Sequence, residues 1–342
     1  MSKYSKTSLL RVPNNIKSVA KAYLENQEEY VRTFTVRING KKRQIITYAA
    51  DEKGTALKHV HTYIATLIPL CYKSMPNSYA YKKGSSILQC VEKHLESDTF
   101  LKTDIHEFFE SIQYEILLDV LFEDKTCAKN KSKLKLLLNS CFYEGHMPIG
   151  FITSPVLSDL YLHKVDEQFM GREGIIYTRY ADDFIISGKD NIDDLETIKS
   201  ELTETLDSNG LSLNSKKTYF RTLKQPGDAI HVLGVNIVND SPRINRITVS
   251  DRYIRDTSKD ICNFLDERDN MTLEETCKEL MSLVGRIEFI RYVSPSSYRK
   301  LEKMVSIKHG SSVQLQDMNI YLSETTQAIS QFGCIYEMSN LI

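Results

Sequence analysis

The chain has 342 residues, 41% of them hydrophobic and 26% charged, and a formal net charge of −1; that is length enough for one large core or two to three lobes. No run approaches roughly eighteen apolar residues and no apolar segment follows the first basic residues, which points away from a membrane span or a secretory signal and toward the cytoplasm. The seven cysteines, at 71, 90, 127, 141, 262, 277 and 334, are never spaced as CxxC, the pattern of free thiols rather than of a zinc site.

The net charge hides an asymmetry. Residues 1–103 carry 17 Lys and Arg against 8 Asp and Glu, residues 104–240 carry 14 against 23, and the remainder 13 against 14. A basic lobe beside an acidic one suits a surface that grips phosphates next to a cation-binding centre, although clustered solvated charge gives the same counts.

In chain order, residues 31–48 alternate and are β-branched around Asn39-Gly40, which predicts a hairpin with Lys41, Lys42 and Arg43 opening its second strand. Residues 55–71 and 85–97 have helical apolar spacing, separated by a polar loop from Lys73 to Gly84. Phe100, Leu101 and Thr103 make a short strand that stops at Asp104. Ser154-Pro155 predicts an N-cap followed by proline at the first position of a buried helix over 154–170. Residues 175–187 predict two apolar strands flanking a tip at Ala181-Asp182-Asp183. Ile192, Leu195, Ile198, Leu202 and Leu206 trace one face of a helix that Gly210 closes, and Leu211, Leu213 and residues 231–238 supply further strands. Thr272 and Glu275 form a capping box for a helix through Arg291, and Ser294-Pro295 opens another, so the last hundred residues are expected to be helical. The order predicts an α+β fold with an antiparallel sheet backed by helices.

Two of those strands end in carboxylates, Asp104 on one and Asp182-Asp183 at the hairpin tip. Side by side in an antiparallel sheet, they would place three acidic groups within a few ångströms, a cluster that cations must neutralise. Two Mg²⁺ ions about 4 Å apart are the usual solution for phosphoryl transfer. An Asp-Asp pair alone also reads as a solvated turn, but here Ile-Ile-Tyr precedes the tip and Phe-Ile-Ile follows it.

These residues resemble the reverse transcriptases. Tyr180-Ala181-Asp182-Asp183 is similar to the family's YxDD box, and residues 104–112 (DIHEFFESI) to its DxxxFFxSI motif. Residues 150–162 (GFITSPVLSDLYL) resemble GxxxSPxLSNLYL, residues 213–218 (LNSKKT) resemble LNxxKT, and Leu233-Gly234 stands where the primer grip has FLG. Residues 285–291 with Ser294-Pro295 resemble the start of a bacterial reverse transcriptase thumb. The resemblance implies a right-hand polymerase: a helical extension over 1–30, fingers over 31–103 with 113–150 contributing, a palm over 104–247 and a helical thumb over 248–342. It implies an RNA-directed DNA polymerase that adds dNTPs to a 3′-OH with two Mg²⁺ ions, or Mn²⁺ in their place.

By position, the resemblance makes Asp104, Asp182 and Asp183 the catalytic carboxylates, with the Ile105 carbonyl as a further metal ligand. Arg43 and Lys41 are expected to hold the triphosphate, Phe109 to pack under the sugar and exclude ribonucleotides, and Gly150 with Ser154 to admit the incoming base and sugar. Lys217 is expected beside the metals, and Leu233 and Gly234 at the primer grip. A core aromatic, a solvated charge, a helix cap and a plain turn are the ordinary readings of Phe109, Lys41, Ser154 and Leu233-Gly234.

Departures from the family pattern matter as much. Pro148-Ile149-Gly150 stands where the family has PQG, and Asp159 replaces an Asn. The NAxxH of retrons keeps only His94, which by that analogy would touch RNA; a histidine that merely packs in its helix is the plainer reading. The expected partners are an RNA template, a dedicated noncoding RNA in antiphage defence, the DNA product, and a partner protein or second copy. The alternatives are a retron reverse transcriptase, a template-independent or repeat-synthesising polymerase prompted by Ile149, and an RNA-binding scaffold without turnover.

Overall fold

The computed structural model describes residues 10–38, 40–189, 192–241, 244–309 and 315–331. Asn39 and Cys334 therefore lie outside the described residues, as do the first nine residues of the expected N-terminal extension and the end of the expected thumb. Backbone contacts divide the chain into Met1–Thr222 and Leu223–Ile342, a boundary inside the 104–247 span expected of the palm.

The first unit opens with α1 (Asn14–Glu25) and the antiparallel ribbon of β1 (Val31–Ile38) and β2 (Lys41–Tyr48). Gly40, at φ +78°, turns the ribbon. Asp51 then caps α2 (Glu52–Cys71) by accepting from the Gly54 amide. A capping box between Ser86 and Gln89 starts α3, which is shorter than its apolar spacing predicts (Ile87–Glu92).

The main sheet has the order β4-β5-β3-β6, with β3 (Thr99–Asp104), β4 (Ile175–Tyr180), β5 (Asp183–Gly188) and β6 (Tyr219–Thr222). Its helices, α4 (Phe108–Ser111), α5 (Tyr114–Phe122), α6 (Lys125–Ala128), α7 (Lys131–Asn139), α8 (Ser154–Tyr161), α9 (His163–Phe169) and α10 (Ile192–Ser208), build one core with it. Leu195, Ile198, Leu202 and Leu206 of α10 are all buried there, as their spacing predicts. Each such side chain contributes roughly 1.5–3 kcal/mol by leaving water.

Three expectations need correction. The helix over 154–170 is two helices, broken at Leu162 (φ −87°, ψ 5°), and its N-cap is Thr153 rather than Ser154. Residues 231–238 do not extend the main sheet: β7 (Ala229–Val232), β8 (Val235–Ser241) and β9 (Ile244–Thr248) form a separate sheet in the second unit. The fourth strand of the main sheet is instead β6, whose short and half-exposed sequence carries little alternation to announce it. The rest of the second unit is helical as expected, with α11 (Asp251–Glu267), α12 (Leu273–Val293), α13 (Pro295–His309) and α14 (Asp317–Gln331). Thr272 and Glu275 make the expected capping box.

His94 is fully buried, its Nδ1 2.7 Å from Ser187 Oγ and its Nε2 2.7 Å from Thr178 Oγ1. It ties the turn after α3 to the sheet and is closed to RNA, which overturns the retron analogy at this residue. His61 is also buried, between Tyr48 Oη and the Ser140 carbonyl. Burial pushes His94 down to about 3 and His61 to about 4. Both folded values lie below the ordinary value, so the unfolded chain takes up these protons first. Their stabilisation is complete above about pH 6.5 and is lost as pH falls, by up to about 1.4 kcal/mol per pH unit for each histidine. We expect His94→Gln to remove about half of this slope in urea melts between about pH 7 and about pH 5. Equal slopes in variant and wild type would rule the account out.

Candidate active site

The antiparallel register of β3 and β5 sets Asp104 opposite Asp183. On the other side of β5, Tyr180 pairs with Asp183, so Ala181 and Asp182 form a two-residue turn, with Ala181 at φ +56°. The Asp182 carbonyl accepts from the Ile105 amide at 3.2 Å, which anchors the turn to the end of β3. The chain leaving α10 adds the third side: Asn214 N donates to the Asp104 carbonyl (2.8 Å), His106 N donates to the Ser212 carbonyl (2.9 Å), and Ile105 bridges Leu213. The carboxylates stand where these buried strands end: Phe184–Ser187 are buried and Asp183 is the half-buried residue that opens β5.

Lysines meet these acids. Lys217 Nζ pairs with Asp104 Oδ2, and Lys102 Nζ lies 3.7 Å from Asp183 Oδ1. Among the described residues, no three acidic, histidine or cysteine side chains gather closely enough to form a ready metal cage, so the expected triple cluster is here a pair of strand-end acids, a turn acid and two lysine counter-charges. The donors nevertheless fit a hard cation. Asp104 is 2% exposed and its Oδ1 has no hydrogen-bond partner, an orphaned acceptor of the type a cation satisfies. Burial raises Asp182, with Asp104 adding to the rise and Lys217 and Arg43 opposing it. Burial also pushes Asp183 up to about 6, with Lys102 opposing and the Asp182 and Asp104 charges adding. The nearby lysines and Arg43 do not offset the burial of Asp182 and Asp183.

The remaining expected site residues divide by location. Arg43 sits on β2 opposite Val36, and its charge reaches Asp182; Lys41 opens the same strand opposite Ile38. Phe108 takes the core-facing position and Phe109 stays half-buried beside it, ring centroids 5.5 Å apart. Gly150 has φ +126°, and a Cβ there would stand 2.4 Å from the Ile46 carbonyl oxygen. Its bare Cα lets β2 dock on this segment, with Ile46 N donating to the Ile149 carbonyl at 2.9 Å. Ser154 Oγ donates to the Pro148 carbonyl at 2.6 Å and is thereby committed to its own loop. Leu233 (φ +48°) and Gly234 (φ +84°) form the two-residue turn between β7 and β8, in the second unit. A left-handed leucine is a strained choice there.

Sequence reasoning missed the group under the turn. Arg179 is 1% exposed: Nε donates to Asp166 Oδ1 (2.8 Å), Nη2 to Asp159 Oδ1 (2.7 Å) and Nη1 to the Ala181 carbonyl (3.0 Å). Tyr177 Oη donates to Asp166 Oδ1 at 2.8 Å and Ser78 Oγ to Asp159 Oδ1 at 2.6 Å. The available signal was an arginine inside an apolar strand, two residues from Tyr177 on the same face, with two aspartates seven apart in the preceding helical stretch. The 73–84 loop pairs with this strand: Arg179 N donates to the Asn77 carbonyl and Tyr79 N to the Arg179 carbonyl, each at 2.9 Å. Lys82 pins this loop by donating to the Met75 (2.6 Å) and Ser78 (2.8 Å) carbonyls. Tyr81, at φ +61° and half exposed, lines a cleft of about 290 Å³ with Ile152 and Pro155.

Three comparisons bear on this site. A family model described as reverse transcriptase (RNA-dependent DNA polymerase) matches residues 39–237. The chain is 25% identical to the Retron Ec48 reverse transcriptase of Escherichia coli, over 89% of this chain and 75% of that protein. It is 26% identical to the Retron Ec86 reverse transcriptase of the same organism, over 80% of each. Among solved structures, apo telomerase from Candida tropicalis has a TM-score of 0.53 at 12% identity, covering 86% of this chain and 61% of that one. That likeness shows the fold: the mixed helix and antiparallel-sheet architecture is that of a right-hand polymerase, as the sequence predicts.

Proposed function

Because the chain belongs to the reverse transcriptase (RNA-dependent DNA polymerase) family, we propose that Asp104, Asp182 and Asp183 are its catalytic carboxylates and that it copies a dedicated noncoding RNA into DNA. RNA-directed DNA polymerase activity that depends on a divalent metal comes with the family. The observation that carries the assignment of residues is the register that sets Asp104 opposite Asp183, with Asp182 on the adjoining turn. Names of the curated relatives support the RNA reading, since the two compared above are retron enzymes. Antiphage defence, with a partner protein, is part of the same proposal.

Asp104, Asp182, Asp183 and the Ile105 carbonyl would hold two Mg²⁺ ions. Once bound, these supply the Lewis acidity that lowers the pKa of the primer 3′-OH and offsets the charge of the leaving pyrophosphate. The protein's own side chains do the rest. Arg43, on the strand docked at Gly150, presents a planar donor to the triphosphate, with Lys41 on the same strand. Lys217, raised chiefly by its hydrogen bond to Asp104, is a protonated donor within reach of departing pyrophosphate. Phe109 closes the space under C2′, and Leu233-Gly234 grips the primer. Fingers over 31–103 with 113–150, palm over 104–247 and thumb over 248–342 would be the corresponding lobes. One observation favours untemplated synthesis as a second reading: Ile149 presents no amide where the family has Gln, and its carbonyl is bonded to β2. A scaffold without turnover is disfavoured by the orphaned Asp104 Oδ1.

The test is extension by purified protein of a primer on its co-purifying RNA with labelled dNTPs and Mg²⁺, followed by sequencing of the product. DNA complementary to the bound RNA is expected, and product matching no RNA present would replace this reading with the second. The cation itself has a separate signature. Asp183 is raised to about 6, so at neutral pH its ionised form opposes folding and neutralisation favours it. Mg²⁺ is therefore expected to raise the melting temperature relative to chelator. Asp183→Asn should melt higher than wild type in chelator and gain less from Mg²⁺; an unchanged response to Mg²⁺ would count against the site.

A further inference from the structure

Arg179 satisfies two buried carboxylates, yet one arm of its guanidinium is spent elsewhere. Nε and Nη2 face Asp166 and Asp159, while Nη1 donates to the Ala181 carbonyl at 3.0 Å. That carbonyl belongs to the peptide leading directly into Asp182, in a turn whose first residue stands at φ +56° without being glycine. A left-handed alanine persists only where its surroundings over-determine it. Three restraints act on this turn: the β4–β5 pairing on either side, the Ile105 amide on the Asp182 carbonyl, and Arg179 from beneath. Only the last is a side chain, and it is itself clamped. Asp166 is held by Tyr177, and Asp159 by Ser78 and by the Tyr72 hydroxyl at 3.2 Å. The guanidinium therefore cannot swing away without stripping two buried acids.

We propose that Arg179 is a positioning residue for nucleotidyl transfer, fixing the Ala181–Asp182 peptide from inside the sheet so that the Asp182 carboxylate stays aimed at its cation. The inference rests on the reading of Asp182 as a catalytic ligand. Arg179 touches neither substrate nor cation; it acts through the turn. A rigid planar fork suits this task, because one group can serve two carboxylates and a carbonyl in fixed directions, which an ammonium cannot.

The experiment measures single-nucleotide incorporation, its dependence on Mg²⁺ and dNTP, and the melting temperature, in wild type and four variants. Arg179→Lys keeps a positive charge near Asp166 and loses the fixed arm to Ala181. It is expected to lower kcat by about tenfold to a hundredfold, the cost of a misplaced catalytic group, and to raise the Mg²⁺ concentration for half activity severalfold, with the dNTP KM within about twofold. Leu202→Ala, a cavity in the α10 face of the core, is the stability control: it should lower the melting temperature and leave kcat and the Mg²⁺ requirement unchanged at a temperature where it is folded. Should Arg179→Lys not fold, Asp166→Asn, which loosens the same guanidinium while keeping its shape, must show the raised Mg²⁺ requirement. Arg179→Lys with wild-type kcat and Mg²⁺ dependence, or Leu202→Ala losing kcat in the same proportion to its melting temperature, would overturn the proposal. Asp182→Ala is run alongside, since its retention of activity would remove the functional reading itself rather than this inference.

Discussion

Asp182→Ala is expected to reduce dNTP incorporation at least about a thousandfold while the protein stays folded. The size follows from the role proposed for the carboxylate: a cation's stabilisation of transition-state charge is worth several kcal/mol, and each ~1.36 kcal/mol is a factor of ten. The fold should survive because Asp182 lies on a two-residue turn and its neighbours burden it rather than rely on it. Burial and the Asp104 charge both raise it, so removing it relieves repulsion. In chelator the variant should melt at or above the wild-type temperature, and primer extension should fall to the level of a reaction without Mg²⁺. More than about a tenth of wild-type incorporation would exclude Asp182 as a ligand.

Arg179→Met is expected to cost about 3–5 kcal/mol of stability. Removing one partner from a buried ionic group leaves the others uncompensated, which costs far more than the group contributes as a whole. Here two carboxylates, Asp159 at 5% exposure and Asp166 at 0%, would face each other without the guanidinium. For a unit of this size the melting temperature should drop by roughly 10 °C. The triple variant Arg179→Met, Asp159→Leu, Asp166→Leu should recover part of that loss, because replacing the whole set by apolar groups removes the stranded charges. A single variant that melts like wild type, or a triple variant worse than the single, contradicts this account.

What could be read in the sequence was whatever a local pattern encodes. The strand ending at Asp104, the hairpin with its tip at Asp182, the α10 face and the Thr272–Glu275 capping box are each set by alternation, helical spacing or cap chemistry within a few residues. Pairing partners were not local. Nothing in Tyr219-Phe220-Arg221-Thr222 says that it joins β3, or in residues 231–238 that they fold on themselves and meet β9 in a sheet of their own. The buried ionic group was hidden for the same reason. Arg179 is bound to acids thirteen and twenty residues earlier and to a loop a hundred residues earlier. The docking of β2 against Ile149 likewise accounts for Gly150 through an approach between distant segments that composition does not reveal.

Lys217 gives the site an internal tenant. Its ammonium sits on Asp104 while the side chain remains 48% exposed, so water screens the pair from the lysine side. An incoming cation would meet one open oxygen of Asp104, Oδ1, and one held by Lys217, and a lysine displaced from Oδ2 would need another anion. A triphosphate carries that anion with it. On the proposed reading, cation and triphosphate would bind cooperatively, with Lys217 exchanging Asp104 for the phosphate. Without any ligand, Lys217 and Lys102 already offset part of the charge that Asp104 and Asp183 bring together at the strand ends.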